Sequence, residues 1–88
     1  MYSYEELTEA HSYSIHHIEH IKKSYYCGCF YCMEIFKPFQ INFWIDNNDT
    51  AICPYCSIDS VIGDYSGYPV TKDFLKAMNK RWFGGKNL

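Results

Sequence analysis

Cys29-Phe30-Tyr31-Cys32 and Cys53-Pro54-Tyr55-Cys56 are two C-x-x-C pairs separated by residues 33–52. That separation matches a four-thiolate zinc site, in which each pair forms one knuckle and the chain between them folds back as a hairpin. A structural Zn2+ takes four ligands tetrahedrally, and two thiolates two residues apart reach adjacent corners when the backbone between them turns tightly. The ligands must be deprotonated and the unfolded chain has no preformed site. Metal binding and folding therefore become one event, worth about 10–16 kcal/mol in small zinc peptides. Cys29, Cys32, Cys53 and Cys56 are the predicted ligands of one structural zinc. A closed shell of four thiolates leaves no position for a reactive water.

The 88 residues predict one domain over 1–88, of a size at which an apolar core alone is marginal and staples are common. Nine Tyr, six Phe and two Trp supply large buried area per side chain, and Tyr equally suits a contact surface. Eight basic against ten acidic side chains give a formal charge of −2, which disfavours nucleic acid as partner. The basic residues gather near the C-terminus, at Lys72, Lys76, Lys80, Arg81 and Lys86. No apolar run has the length of a membrane span, and Met1-Tyr2-Ser3-Tyr4-Glu5-Glu6 is acidic where a secretory leader is basic and then apolar. These features predict a cytoplasmic protein with no membrane partner. Five Cys, an odd number, fit a reducing compartment and a metal better than a disulfide framework.

Ser3 followed by Glu6 is a capping-box pattern, and no Gly or Pro follows until after Tyr26. The spacing predicts a helix over 4–24 within an N-terminal segment 1–26. Leu7, Ser14, Ile18, Ile21 and Tyr25 fall on its apolar side, flanked by Ala10, His11, Ile15 and His17. His16 and His20 fall one turn apart on the polar side, where the spacing suits a two-ligand metal site, and solvated surface histidines are the preferred reading. His11 and His17 beside the stripe, with Ser14 between them, need hydrogen-bond partners, as satisfied core residues or as a polar site under the helix.

The segment 27–63 then reads as a knuckle and hairpin core. Gly28 supplies backbone freedom at the entry to the first knuckle, and Cys27 is a spare thiol, buried or behind the ligands. Pro38 ends a short strand after Cys32. Ile41, Phe43 and Ile45 alternate with Asn42 and Trp44, and Asp46-Asn47-Asn48-Asp49 is a turn cluster. Residues 41–46 and 50–53 are the predicted hairpin. Residues 57–62 predict one or two helical turns whose dipole supports the thiolates of Cys53 and Cys56, the treble-clef arrangement. In the segment 64–88, Asp64 to Pro69 is a loop, and Thr71 caps a helix over 72–83 with Phe74, Leu75, Met78 and Trp82 on its apolar side, stopped by Gly84-Gly85. The predicted fold class is α+β, a small zinc-stapled module of treble-clef or zinc-ribbon type.

Three functions compete for this scaffold. An interaction module would use the zinc for rigidity and present Tyr65, Tyr68, Lys80, Arg81 and Trp82 to a partner, preferably a protein. A thiol-disulfide oxidoreductase would use Cys53-Pro54-Tyr55-Cys56, letter for letter the glutaredoxin motif. Only residues 57–88 follow it, however, and a second C-x-x-C precedes it. A divergent treble-clef nuclease would need a rearranged site built from His11 or His17 with Asp59 or Asp64, because no His follows His20. The interaction module is preferred, with no catalytic residue assigned.

The run from Cys27 to Cys32, together with Thr50 to Cys56, Ile58 to Asp64 and Ser66 to Pro69, resembles a family of small bacterial proteins known only as cytoplasmic proteins. The resemblance covers most of the chain. It implies the same paired cysteines behind an N-terminal helix with histidines at the places of His11 and His17. It raises interest in the zinc and in those histidines and implies no activity. Ser57 departs from the Gly that follows the second knuckle in that pattern, which bears on the local turn alone.

Overall fold

The computed structural model describes residues 2–88. Its order is α1 (Tyr4–Ala10), α2 (Ile18–Lys23), β1 (Cys27–Cys29), β2 (Ile35–Phe36), β3 (Trp44–Ile45), β4 (Thr50–Ala51), β5 (Val61–Gly63) and α3 (Lys72–Phe83), with 3-10 turns at His11–Ser14, Pro38–Gln40 and Asp64–Ser66. The fold is a small α+β arrangement of helices and two antiparallel sheets.

The capping box forms as predicted. Ser3 Oγ accepts from the Glu6 N–H at 3.1 Å and Glu6 Oε1 accepts from the Ser3 N–H at 2.8 Å. The single helix over 4–24 does not form. After the turn at His11–Ser14 the chain becomes extended at Ile15 and left-handed at His16, with φ of 50°. The amide groups that a continuous helix would turn inward bind the hairpin instead. The His16 N–H donates to Thr50 Oγ1 at 2.8 Å, and the His17 N–H donates to the Asp49 carbonyl at 2.8 Å. Ile18 N–H reaches the same carbonyl at 3.1 Å. Tertiary hydrogen bonds outweigh the weak helix propensity of a Ser- and His-rich stretch. Tyr25, predicted on the apolar side, is 81% exposed.

The main sheet has the order β2-β1-β5, with Cys27 opposite both Phe36 and Gly63, and Gly28 opposite Ile35 and Ile62. Side chains alternate across it. Ile62 joins Leu7, Ala10, Phe30, Phe74, Leu75 and Met78 beneath α1 and α3. Cys27, Cys29, Phe36 and Val61 join Ile21, Ile41, Ala51 and Cys53 on the opposite side.

The second sheet is the predicted hairpin in shorter form, with Trp44 opposite Ala51 and Ile45 opposite Thr50. Asp46, Asn47 and Asn48 all adopt left-handed φ, of 56°, 60° and 65°, as Asp and Asn do most readily among residues with a side chain. Its facing reverses the predicted alternation beyond Ile41. Trp44 packs inward, whereas Phe43 and Ile45 face solvent. Pro38 opens a 3-10 turn directly after β2, as its missing N–H requires.

The helix predicted over 57–62 is replaced by β5. Val61 and Ile62 are fully buried on opposite faces of the sheet, and strand pairing with β1 satisfies their backbone groups where a short helix would leave its ends unpaired. No helix dipole therefore supports the second knuckle. α3 forms as predicted, capped by Thr71 Oγ1 accepting from the Phe74 N–H at 3.2 Å and closed by Gly84 at φ 65°.

Gly28 sits in a regular strand, so its role is close approach and not backbone freedom. An added Cβ would lie 2.8 Å from Leu75 Cδ1. Gly63 is tighter, since a Cβ there would lie 2.2 Å from Ser24 Oγ. That hydroxyl is fixed by donating to the His20 carbonyl at 2.8 Å and accepting from the Tyr65 N–H at 3.0 Å. Gly63→Ala is expected to lower stability by about 1–3 kcal/mol in chemical denaturation. Gly28→Ala, meeting only mobile methyl groups, is expected to cost less, and the reverse order would contradict this packing.

Candidate metal centre

The two knuckles follow the same backbone path. In the first, the Tyr31 N–H donates to Cys29 Sγ at 3.4 Å, the Met33 N–H to the Cys29 carbonyl at 2.8 Å, and the Cys29 N–H to the Glu34 carbonyl at 3.0 Å. In the second, the Tyr55 N–H donates to Cys53 Sγ at 3.4 Å, the Ser57 N–H to the Cys53 carbonyl at 3.0 Å, and the Cys53 N–H to the Ile58 carbonyl at 2.9 Å. Met33 and Ser57 close the two turns in the left-handed region, at φ of 63° and 65°. That conformation is the reason glycine suits the position of Ser57.

The turn between β1 and β2 carries the first knuckle, and the β3–β4 hairpin delivers the second to it. The four Sγ atoms of Cys29, Cys32, Cys53 and Cys56 all lie within 4.8 Å of one another. Cys29 Sγ is 3.6 Å from Cys56 Sγ, and Cys32 Sγ is 3.7 Å from Cys53 Sγ. Sulfurs at the corners of a tetrahedron with metal–sulfur bonds of about 2.3 Å stand about 3.8 Å apart. A disulfide requires about 2.05 Å, and all five cysteines are free. Among the described residues, these four form the group of His, Cys, Asp and Glu donors close enough to hold a metal ion.

The electrostatics of the cluster favour a cation. Cys53 is lowered to about 5 by the hydrogen bond from the neighbouring Cys29 thiol, helped by the Tyr55 N–H and opposed by burial. Cys29 is pushed well up by serving as that donor and by burial, and Cys56 is pushed up to about 11, chiefly by burial. One thiolate can thus form easily while its neighbours resist ionising beside it. A dication removes that mutual repulsion and takes all four as thiolates. Cys27 is fully buried in β1, away from the cluster, and burial pushes its thiol up to about 12.

The other singled-out residues serve the fold at separate places. His11 lies against the Trp82 ring at 4.0 Å, and Ser14 Oγ donates to the His11 carbonyl at 2.7 Å. His17 is buried, with Nδ1 bonded to the Tyr13 carbonyl and Nε2 accepting from the Ala51 N–H at 3.0 Å. Asp64 accepts from the N–H groups of Tyr25 and Tyr26 at 3.0 Å and 3.2 Å, while Asp59 is exposed. His16 is solvated beside Asp49, 3.3 Å away, and His20 is half-buried between the rings of Tyr13 and Tyr65.

Of the candidate contact residues, Tyr65 is 52% exposed and Lys80 is exposed. Tyr68 donates to Glu9 Oε1 at 2.8 Å, and Trp82 Nε1–H donates to the Leu7 carbonyl at 3.2 Å. Arg81 lies between the Tyr4 and Trp82 rings.

Several supporting residues escape motif reading. Asn79, fully buried on α3, donates through Nδ2 to the Phe30 and Tyr31 carbonyls at 2.9 Å and 3.3 Å. Asn87 adds a donor to the Tyr31 carbonyl at 3.1 Å, and Lys72 Nζ donates to the Met33 carbonyl at 2.7 Å. Asn79 had one signal, a polar residue one turn beyond Leu75 on an apolar face.

No protein-family model, curated protein or solved structure matches this chain.

Because His17 Nε2 accepts an amide hydrogen, the neutral ring must carry its proton on Nδ1, and burial lowers its pKa below 6.5. The unfolded chain takes up the proton first as pH falls through 6.5, so stability present above that value is lost from there down to the folded pKa. In denaturation between about pH 7 and about pH 5.5, the native protein is expected to lose more stability than a His17→Gln variant. Equal losses would contradict the assignment.

Proposed function

We propose that Cys29, Cys32, Cys53 and Cys56 bind one Zn2+ as a closed structural tetrahedron, and that the chain is a zinc-ribbon-like interaction module of the cytoplasm. The observation that carries the metal reading is the pair of cross-knuckle sulfur contacts at 3.6 Å and 3.7 Å, close to a tetrahedral edge. Thiolate donors in a four-sulfur set select zinc or iron over the oxygen-seeking cations, and a site saturated by protein sulfur suits redox-inert zinc in a structural role. Two hairpin knuckles beside a three-stranded sheet favour the ribbon over the treble clef, whose helix is replaced here by β5.

The interaction reading draws on surface chemistry. Phe39 is 83% exposed and Phe43 72%, and Tyr55 protrudes from the second knuckle, bound to Gln40 Nε2 through its hydroxyl at 3.2 Å. Aromatic side chains on a rigid scaffold offer contact area at low entropic cost. They replace Tyr68, Arg81 and Trp82, whose polar groups are committed within the chain, and join Tyr65 and Lys80. The net charge favours a protein over a nucleic acid.

The oxidoreductase reading fits less well. A glutaredoxin-like site needs its first thiol accessible, whereas Cys53 is 2% exposed and Cys56 is the more open of the two. A nuclease would need His11 or His17 free to reach a substrate; His17 spends both ring nitrogens on backbone groups, and His11 packs against the Trp82 ring.

Protein purified under reducing conditions is expected to contain about one zinc per chain by elemental analysis and to unfold cooperatively when a strong chelator removes it. Metal-free protein with the same fold and disulfide reductase activity would favour the oxidoreductase. In affinity capture from a native-type lysate, a Phe39→Ala, Phe43→Ala double variant is expected to keep its zinc and lose the protein partner.

A further inference from the structure

The two knuckles share a backbone path but not their support. Carbonyls of the first knuckle receive donors from Asn79, Asn87 and Lys72, which tie it to α3 and the C-terminal turn. Among the described residues, no side chain donates to a backbone carbonyl of residues 53–57 in the second knuckle, whose side chains meet the sulfurs of the first knuckle and, at the Tyr55 hydroxyl, Gln40. Exposure within each knuckle is graded alike. Cys29 and Cys53 are buried, and Cys32 and Cys56 are half-exposed. Cys56 is thus the one sulfur that is both open to solvent and carried by the less supported knuckle. Its neighbour across the centre is Cys29, at 3.6 Å.

We infer that the metal centre opens from its second knuckle and is a modification site for peroxide, with Cys56 as the point of attack and Cys29 as the thiolate that resolves it across the knuckles. This inference rests on the zinc reading above. Cys56 thiolate attacks hydrogen peroxide, the O–O bond breaks, and with one proton taken up the products are a Cys56 sulfenic acid and water. Cys29 thiolate then attacks the Cys56 sulfur, forming a disulfide and expelling hydroxide, which takes a second proton to become water. Two thiolates have been oxidised and one peroxide reduced. The two that remain hold zinc weakly, and it leaves as Zn2+. A second peroxide joins Cys32 to Cys53, which stand 3.7 Å apart. Both disulfides link one knuckle to the other, as the metal did, so the oxidised chain keeps its two halves cross-linked.

The test uses the reduced protein after its zinc content has been measured. Hydrogen peroxide is added below stoichiometry, zinc release is followed with a chromogenic chelator, and disulfides are mapped by mass spectrometry of non-reduced peptides. Zinc release is expected with the Cys29–Cys56 disulfide appearing first. In a parallel reaction with an alkylating reagent, Cys56 of the zinc-loaded protein is expected to react about tenfold faster than Cys32. A Lys72→Ala, Asn87→Ala variant, which loosens the first knuckle while leaving buried Asn79 in place, is expected to narrow that ratio. Disulfides within the pairs Cys29–Cys32 or Cys53–Cys56, earlier reaction at Cys32, or retention of zinc under excess peroxide would overturn the inference and leave the zinc reading standing. Absence of zinc from the reduced protein would overturn both.

Discussion

Four sulfur atoms held within 4.8 Å of one another are the constraint on which the rest of this structure depends. The strands that carry them are only two or three residues long, and hairpins of that length are marginal by themselves in water. The two halves of the core are small and lie on opposite sides of the sheet. The β3–β4 hairpin meets the rest of the fold at the cluster and through hydrogen bonds between the His16–Ile18 segment and the Asp49–Ala51 stretch. A cation bound at the centre would convert the mutual repulsion of crowded thiolates into attraction, and would turn a loop-rich chain into a cross-linked one.

The same constraint explains the local backbone. A sulfur that accepts an amide hydrogen bond is a better-stabilised thiolate, and each knuckle aims one Tyr N–H at its first Cys. Holding that geometry forces the residue after each second Cys into the left-handed region, where Met33 and Ser57 sit although glycine would be less strained there. The first knuckle is further braced by α3, so its shape is tied to the folding of the C-terminal helix through the carbonyls of Phe30, Tyr31 and Met33. The second relies on its sulfurs, the turn around them and the pairing of β3 with β4. A centre built from one braced and one lightly held half has a preferred direction of opening.

Much of this is legible in the sequence because it depends on short-range chemistry. The two C-x-x-C pairs, the Ser3–Glu6 capping box, the Pro38 strand end, the Asp46–Asp49 turn and the Thr71-to-Gly84 helix are each specified within a few residues, and each forms. Other features depend on what comes from afar. Nothing local breaks the chain at Ile15–His17; the break exists because Asp49 and Thr50 supply partners for the amides there. Within the segment 57–63 the chain forms the strand Val61–Gly63 and not a helix, because β1 has an open edge that Val61 and Ile62 fill. Gly28 reads as a flexible point, yet it and Gly63 are places where helices pack against the sheet. The contacts of His11 and His17 likewise come from afar: one packs against Trp82, the other joins Tyr13 to Ala51.

The functional reading follows from how the polar groups are spent. His17, Asp64, Tyr68, Arg81 and Trp82 are committed to contacts inside the chain, while Phe39, Phe43, Tyr55 and Tyr65 are left facing solvent, and the proposed interaction role draws on that distribution. X-ray absorption at the zinc edge of the reduced protein examines the premise most directly. A single shell of four sulfurs at about 2.3 Å is the result this account requires. Nitrogen or oxygen neighbours at about 2.0–2.1 Å, or fewer than four sulfurs, would contradict it.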